Sequence, residues 1–136
     1  MTMENLLDWL ESLNLADHVY ANRLDNKLEK SIGLYNRTIA GTRPVMAIGG
    51  LQNSSYDVLA LSLLVHWTRS FPETETAAQA VWDALIEAKH IDIPGGQHIQ
   101  FVQMTTPGPV YVATDANGIH EYVINFNLYE VAHVIP

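Results

Sequence analysis

Cysteine is absent from the chain, so neither a disulfide framework nor a thiolate metal site can form. That suits a protein made and used in a reducing cytoplasm. Basic residues are scarce, seven against fifteen acidic ones, for a formal net charge of −8. A chain of that sign repels a phosphate backbone, which disfavours sequence-specific binding of nucleic acid. The same charge serves ordinary solubility, or a surface that lies near DNA without holding it. Long apolar runs are missing too, since Val58 to Trp67 is about half of what a membrane span needs. The start Met1-Thr2-Met3-Glu4-Asn5 lacks the basic stretch of a secretion signal, so no membrane location is expected.

Signatures of catalysis are equally sparse. Six histidines (His18, His66, His90, His98, His120 and His133) stand far apart, without H-x-H or HExxH spacing. His120-Glu121 begins like a zinc-protease helix, but Ile124 occupies the place of the second histidine. His90-Ile91-Asp92 offers two ligands on one side of an extended strand, and surface or turn histidines are the more ordinary reading. No serine sits in G-x-S-x-G, and Gly49-Gly50 and Gly95-Gly96 lack the spacing of a phosphate loop. Those glycines read as turns. Glu73 and Glu75 stand at a helix start, where the dipole and solubility account for them. Nothing in the residues requires an enzyme, a metal or a cofactor.

What is present describes one domain of 136 residues, 48% hydrophobic, long enough to bury a core without staples. Leu6, Leu7, Leu10 and Leu13, with Trp9, recur at helical spacing, and Glu4, Asp8 and Glu11 fall on the other side, which predicts a helix over Met3–Asn14. His18 to Tyr35 reads as a protruding β-hairpin around the turn residues Asp25-Asn26, with a second helix as the alternative. Arg43 to Ile48 reads as a strand ended by Gly49-Gly50. From Tyr56 the chain alternates, placing Leu59, Leu61, Leu63, Val65 and Trp67 on one face and Ala60, Ser62, Leu64 and His66 on the other.

Ser70 and Glu73 have the spacing of a capping box, with Pro72 where a first turn tolerates it. The helix expected there spans Glu73–Lys89 and carries Ala77, Ala78, Val81, Leu85 and Ala88 on one stripe. Three strands follow, His98–Met104, Val110–Thr114 and Ile119–Val131, the last two joined through Asp115-Ala116-Asn117-Gly118. On the final strand Tyr122, Ile124, Phe126 and Leu128 share a face opposite Asn125 and Asn127. Trp9, Trp67 and Trp82 fall in apolar patterns, and Tyr111, Tyr122 and Tyr129 suit packing across a sheet. The expected fold is α+β: an antiparallel-rich mixed sheet with two helices packed on one face and the protruding hairpin.

The run Pro107-Gly108-Pro109-Val110-Tyr111-Val112-Ala113-Thr114-Asp115, with Gly118-Ile119 and Glu121 to Phe126, resembles the tail-terminator or minor capsid proteins of long-tailed phages and prophages. Arg43-Pro44 with Gly49-Gly50, Leu63 to Trp67, and Glu73-Thr74-Glu75 with Ala77-Ala78 are similar in order and spacing, from about residue 35 onward. The resemblance implies a virion protein that caps the tail tube, stops its growth and offers a docking surface to the head connector. It implies a hexameric ring, assembled in the host cytoplasm, with the tail-tube protein and a head-completion protein as partners. DNA would pass through without specific binding, and no cofactor is implied. Two segments are expected to meet neighbours: the tip at Asp25, Asn26 and Lys27, and the turn at Pro107, Pro109 and Tyr111. Glu29, Glu73, Glu75, Asp83 and Asp92 are the acids expected to be exposed, some toward a lumen. A head-side completion protein is the alternative, and a small ligand-binding domain or enzyme the more remote one.

Overall fold

A computed structural model describes residues 3–22, 28–36, 56–93 and 98–131. Helix α1 spans Met3–Ser12, and its apolar stripe is the buried one: Leu6, Trp9 and Leu10 are inside, while Glu4, Asp8 and Glu11 face solvent. It stops before Asn14 because Leu13 and Asn14 turn back to the carbonyls of Leu10 and Glu11. Asn14 takes a left-handed φ of 54°, a conformation asparagine tolerates at a helix end.

Strands β1 (His18–Ala21) and β2 (Ser31–Asn36) correct the hairpin expectation, because they pair in parallel, His18 opposite Ser31 and Ala21 opposite Leu34. A hairpin needs antiparallel strands, whereas β1 and β2 run in the same direction. The physical reason is burial. Ser31, Ile32, Gly33 and Leu34 are all inside, so β2 is an inner strand between β1 and β3 rather than an arm in solvent. The expected tip at Asp25, Asn26 and Lys27, and the expected strand at 43–48, lie outside the described residues.

Strand β3 (Tyr56–His66) and the last strand, β7 (His120–Val131), form the spine of the sheet, paired antiparallel from Tyr56–Val131 to His66–Glu121. Between them come α2 (Phe71–Ile86), β4 (Ile91–Asp92), β5 (His98–Met104) and β6 (Val110–Thr114). The order across the sheet is β1-β2-β3-β7-β5-β4, with β6 continuing along the same edge of β7 as β5. Among the described strands only β1–β2 is parallel, so the sheet is mixed and antiparallel-rich.

Alternation decides which face is the core. Leu61, Leu63 and Val65 of β3 and Ile124, Phe126 and Leu128 of β7 are at most 1% exposed. Both helices add to the same cluster, α1 through Leu6, Trp9 and Leu10 and α2 through Ala78, Val81, Trp82 and Leu85. Each fully buried leucine or isoleucine contributes roughly 1.5–3 kcal/mol. Ser70 caps α2, its Oγ accepting from the Glu73 N–H at 3.4 Å, but the reciprocal half of the expected box is absent. The Glu73 carboxylate instead accepts from Thr68 Oγ1 at 3.1 Å, and Thr68 Oγ1 accepts from the Ser70 N–H. The opposite face of the sheet carries polar contacts: Ser62 bonds Asn125, and Gln103 Oε1 accepts from Asn127 and from the Tyr129 hydroxyl.

Candidate assembly surface

Strand β6 is an edge. It pairs with β7 on one side and with nothing on the other among the described residues, and all five of its residues are exposed. Its register slips between Tyr111 and Ala113, leaving Val112 as an extra residue against β7. Such a bulge twists an edge and re-aims its side chains. Val110, Tyr111 and Val112 are 43%, 41% and 51% exposed, an unusual run of apolar surface for one short strand. Phe71, the first residue of α2, extends it: its ring meets those of Tyr111 and His120 edge-on, each at 5.5 Å. Tyr111 also packs edge-on against Tyr122 at 5.3 Å, and its hydroxyl lies 3.0 Å from His120 Nδ1.

Behind this strip a groove of about 840 Å³ runs between α2 and the connection from β5 to β6. Glu75, Thr76, Gln79 and Asp83 of α2 form one wall, and Pro109 and Tyr111 the other. Burial pushes the Tyr122 phenol up, and the nearby charges of Glu75 and Tyr111 and a hydrogen bond with Glu75 push it the same way. The phenol therefore stays protonated and donates to the carboxylate. Asp83 accepts from Gln79 Nε2 at 3.0 Å. Neither acid meets a lysine or arginine among the described residues. The groove thus joins an apolar rim to a negative wall.

At the end of the sheet where β6 turns into β7, His66 is fully buried. Its Nδ1 lies 2.9 Å from the Leu28 carbonyl and its Nε2 lies 2.7 Å from Asp115 Oδ2. A carbonyl can only accept, so Nδ1 is the donor toward Leu28 and Nε2 is the nitrogen that meets the Asp115 carboxyl. Burial alone would raise the Asp115 carboxyl. The hydrogen bond from His66, those from the Ile119 and Asn117 N–H groups, and the His66 charge outweigh it and hold the carboxyl below its ordinary 3.8. The neighbouring Glu121 is pushed up by burial, against the pull of His66 and with the push of Asp115. The pair ties the β6–β7 turn to Leu28, across 38 residues to one side and 49 to the other.

Alternation alone had put His66 on the outer face with Ala60, Ser62 and Leu64. The signal that could have found the pair was Asp115 at the head of a turn, but only the β3–β7 register brings His66 beside it. Of the residues nominated from sequence, Pro109 and Tyr111 line the groove, and Pro107 stands exposed on the same connection. Asp25, Asn26 and Lys27 lie outside the described residues. Leu28, which follows them, sits at the Asp115 end of the sheet, whereas Thr105 fastens the proline connection to the Asn125 carbonyl midway along β7. The acids Glu29, Glu73, Glu75, Asp83 and Asp92 are all exposed. Asp92 partners His98 Nδ1 at 2.8 Å rather than His90, whose ring lies 5.9 Å from that of His98. No three His, Asp or Glu side chains converge on a cation position among the described residues.

The sequence matches a family model described as bacteriophage tail terminator protein over residues 5–129. Among curated proteins, no sequence matches this chain. A solved structure of the gp17 protein of bacteriophage SPP1 is similar at 13% identity, with a TM-score of 0.43, covering 98% of this chain and 87% of that one. The family match takes in α1, the groove, the β6 edge and nearly all of the central strands, so the chain belongs to the bacteriophage tail terminator family, structural proteins of the virion at the junction of tail and head.

Proposed function

We propose that this chain closes into a hexameric ring on the last layer of the tail tube, halts further growth of the tube, and presents the opposite rim to the head connector. The observation that carries this reading is the uncovered β6 edge with its apolar strip. A lone subunit leaves Phe71, Val110, Tyr111 and Val112 in water, and neighbours in a ring would cover them. Tail tubes grow by heterologous addition, which continues until something hides the growing surface. A ring of a different protein does this, and substitutes a surface shaped for the connector. In this reading the proline connection, with its pre-set backbone at Pro107 and Pro109, meets a neighbour or the tube with little loss of entropy. The tip at Asp25, Asn26 and Lys27 serves a second contact. The subunits assemble in the host cytoplasm, and their net negative charge lets DNA pass without specific binding.

A phage deleted for this protein tests the reading. DNA-filled heads and polymerised tubes are the expected products, with tubes overlong and unattached in negative-stain images of the lysate. Tails of normal length beside heads that leak DNA would instead assign the protein to the head side.

A further inference from the structure

Rows of paired residues run unbroken across five strands of the sheet, from β1 to β6. Val19 lies opposite Ile32, Ile32 opposite Val65, Val65 opposite Tyr122, and Tyr122 opposite Tyr111. The rows on either side start at His18 and Tyr20 and end at Ala113 and Val110. Strands β1 and β6 therefore stand at one level of the sheet, on opposite flanks. Among the described residues each is paired with a strand on one side alone, β1 with β2 and β6 with β7. The N–H groups of His18 and Asn22 reach the carbonyls of Lys30 and Leu34, so alternation turns the backbone of Val19 and Ala21 away from β2.

Resting on the ring reading above, we infer that β1 of one subunit adds to the β6 edge of the next, so that the sheet continues from copy to copy. Direction fits this partner. β1 and β2 run together and each later step in the row reverses, which leaves β6 antiparallel to β1. A second copy carried round in the same orientation thus offers β6 an antiparallel strand. Length fits as well: the extra residue at Val112 twists β6, so only a short strand can lie against it, and β1 has four residues. Charge complements the pairing. Asp17, just before β1, and Arg69, held at the β6–β7 turn by the Asn117 carbonyl at 2.9 Å, are both exposed at the His66 end of the sheet. Neither forms an ion pair among the described residues, and joining the two edges brings these opposite charges to the same end of the seam.

Two unlike edges on opposite flanks make a head-to-tail contact, the kind that generates rings, whereas β6 on β6 would stop at a two-fold dimer. The dimensions are those of an open ring. Five strands span about 24 Å, so six copies joined edge to edge form a circle about 46 Å across between backbone walls. That leaves room for the passage of DNA that the ring reading requires. The strip Val110, Tyr111 and Val112, exposed in the lone subunit, gains a partner in Val19 and Ala21, residues that the fold already presents at its other flank.

Cysteine pairs test the seam, because the chain has no cysteine of its own. Val19→Cys is combined in turn with Val110→Cys, Tyr111→Cys and Val112→Cys, and the whole chain is oxidised on purified tail tubes, with circular dichroism to monitor folding. At least one pair is expected to give a ladder of linked subunits that ends at the closed ring. Within one subunit the two positions stand four strands apart, about 19 Å, too far for a disulfide to form. Charge exchange supplies the second readout, since Asp17→Arg or Arg69→Glu alone should reduce the number of ring-capped tube ends in negative-stain images. The two together should restore it. Linked dimers from Val112→Cys alone would show that β6 meets β6 and overturn the inference. Rings that form without any cross-link and survive both single reversals would overturn it too, while leaving the ring standing. A wild-type chain that stays monomeric even on tube ends would overturn the ring reading and this contact together.

Discussion

Leu63 occupies the middle of β3 with no exposed surface, opposite Leu34 and Ile124 and inside the core that the sheet shares with both helices. Leu63→Ala is expected to destabilise the fold by about 2–5 kcal/mol, measured by urea denaturation, because the surroundings close only partly around the cavity. Asp115 makes a prediction of a different kind, since its effect depends on pH. Its carboxyl is held below the ordinary range in the folded chain. Its stabilisation is therefore complete above the unfolded value and is lost as pH falls through the lower, folded one. Asp115→Asn should lower stability by about 2–3 kcal/mol at pH 7, the size of hydrogen bonds to a charged partner. The deficit should shrink as denaturation curves are taken below about pH 4. A constant deficit across that range would mean the carboxylate charge is not what matters. Of the apolar faces read from sequence, Leu61, Leu63, Val65, Val81, Leu85, Ile124 and Phe126 are buried, while Leu59, Trp67 and Ala77 are only half-buried. His66 was not legible, because its burial comes from Leu28, Asp115 and the strand register rather than from its own neighbours in the chain.

At the level of elements, local signals were reliable where one residue's conformation decides the outcome. Gly118 takes a φ of +80° in the turn between β6 and β7, and an added Cβ there would meet only the Arg69 side chain, 3.9 Å away. Gly118→Ala should therefore cost only the backbone strain of a left-handed residue, about 1–2 kcal/mol, readable as a fall in Tm without loss of cooperativity. A far larger loss would show that the turn is packed against something else. The two helices were legible from periodicity, though α1 ends two residues early and α2 begins at Phe71 and ends at Ile86 instead of spanning Glu73–Lys89. The hairpin reading of 18–35 failed for a definite reason. Turn residues between two short apolar stretches suit an antiparallel return, but direction is settled by strand pairing, and β1 pairs with β2 in parallel while β3 covers the other edge of β2.

For the molecule as a whole, charge and shape carry separate messages. The net charge of −8 predicts that the chain will not retard duplex DNA in gel mobility at about 50 mM salt, where electrostatic attraction would be strong if it existed. A stable complex under those conditions would contradict passage of DNA through a ring without binding. The sequence by itself determined the class of the domain, its helices, the alternation of its spine strands, the absence of cysteine chemistry, and a family likeness over most of its length. These follow from short-range physics: helical and strand periods, turn residues and composition act within a few positions of the chain. The tertiary structure alone decided the parallel β1–β2 pair, the buried His66–Asp115 contact, and the meeting of α2 with the proline connection to form a groove. Each of these joins residues far apart in the chain, and what brings them together is the burial of one common core rather than any preference of their own.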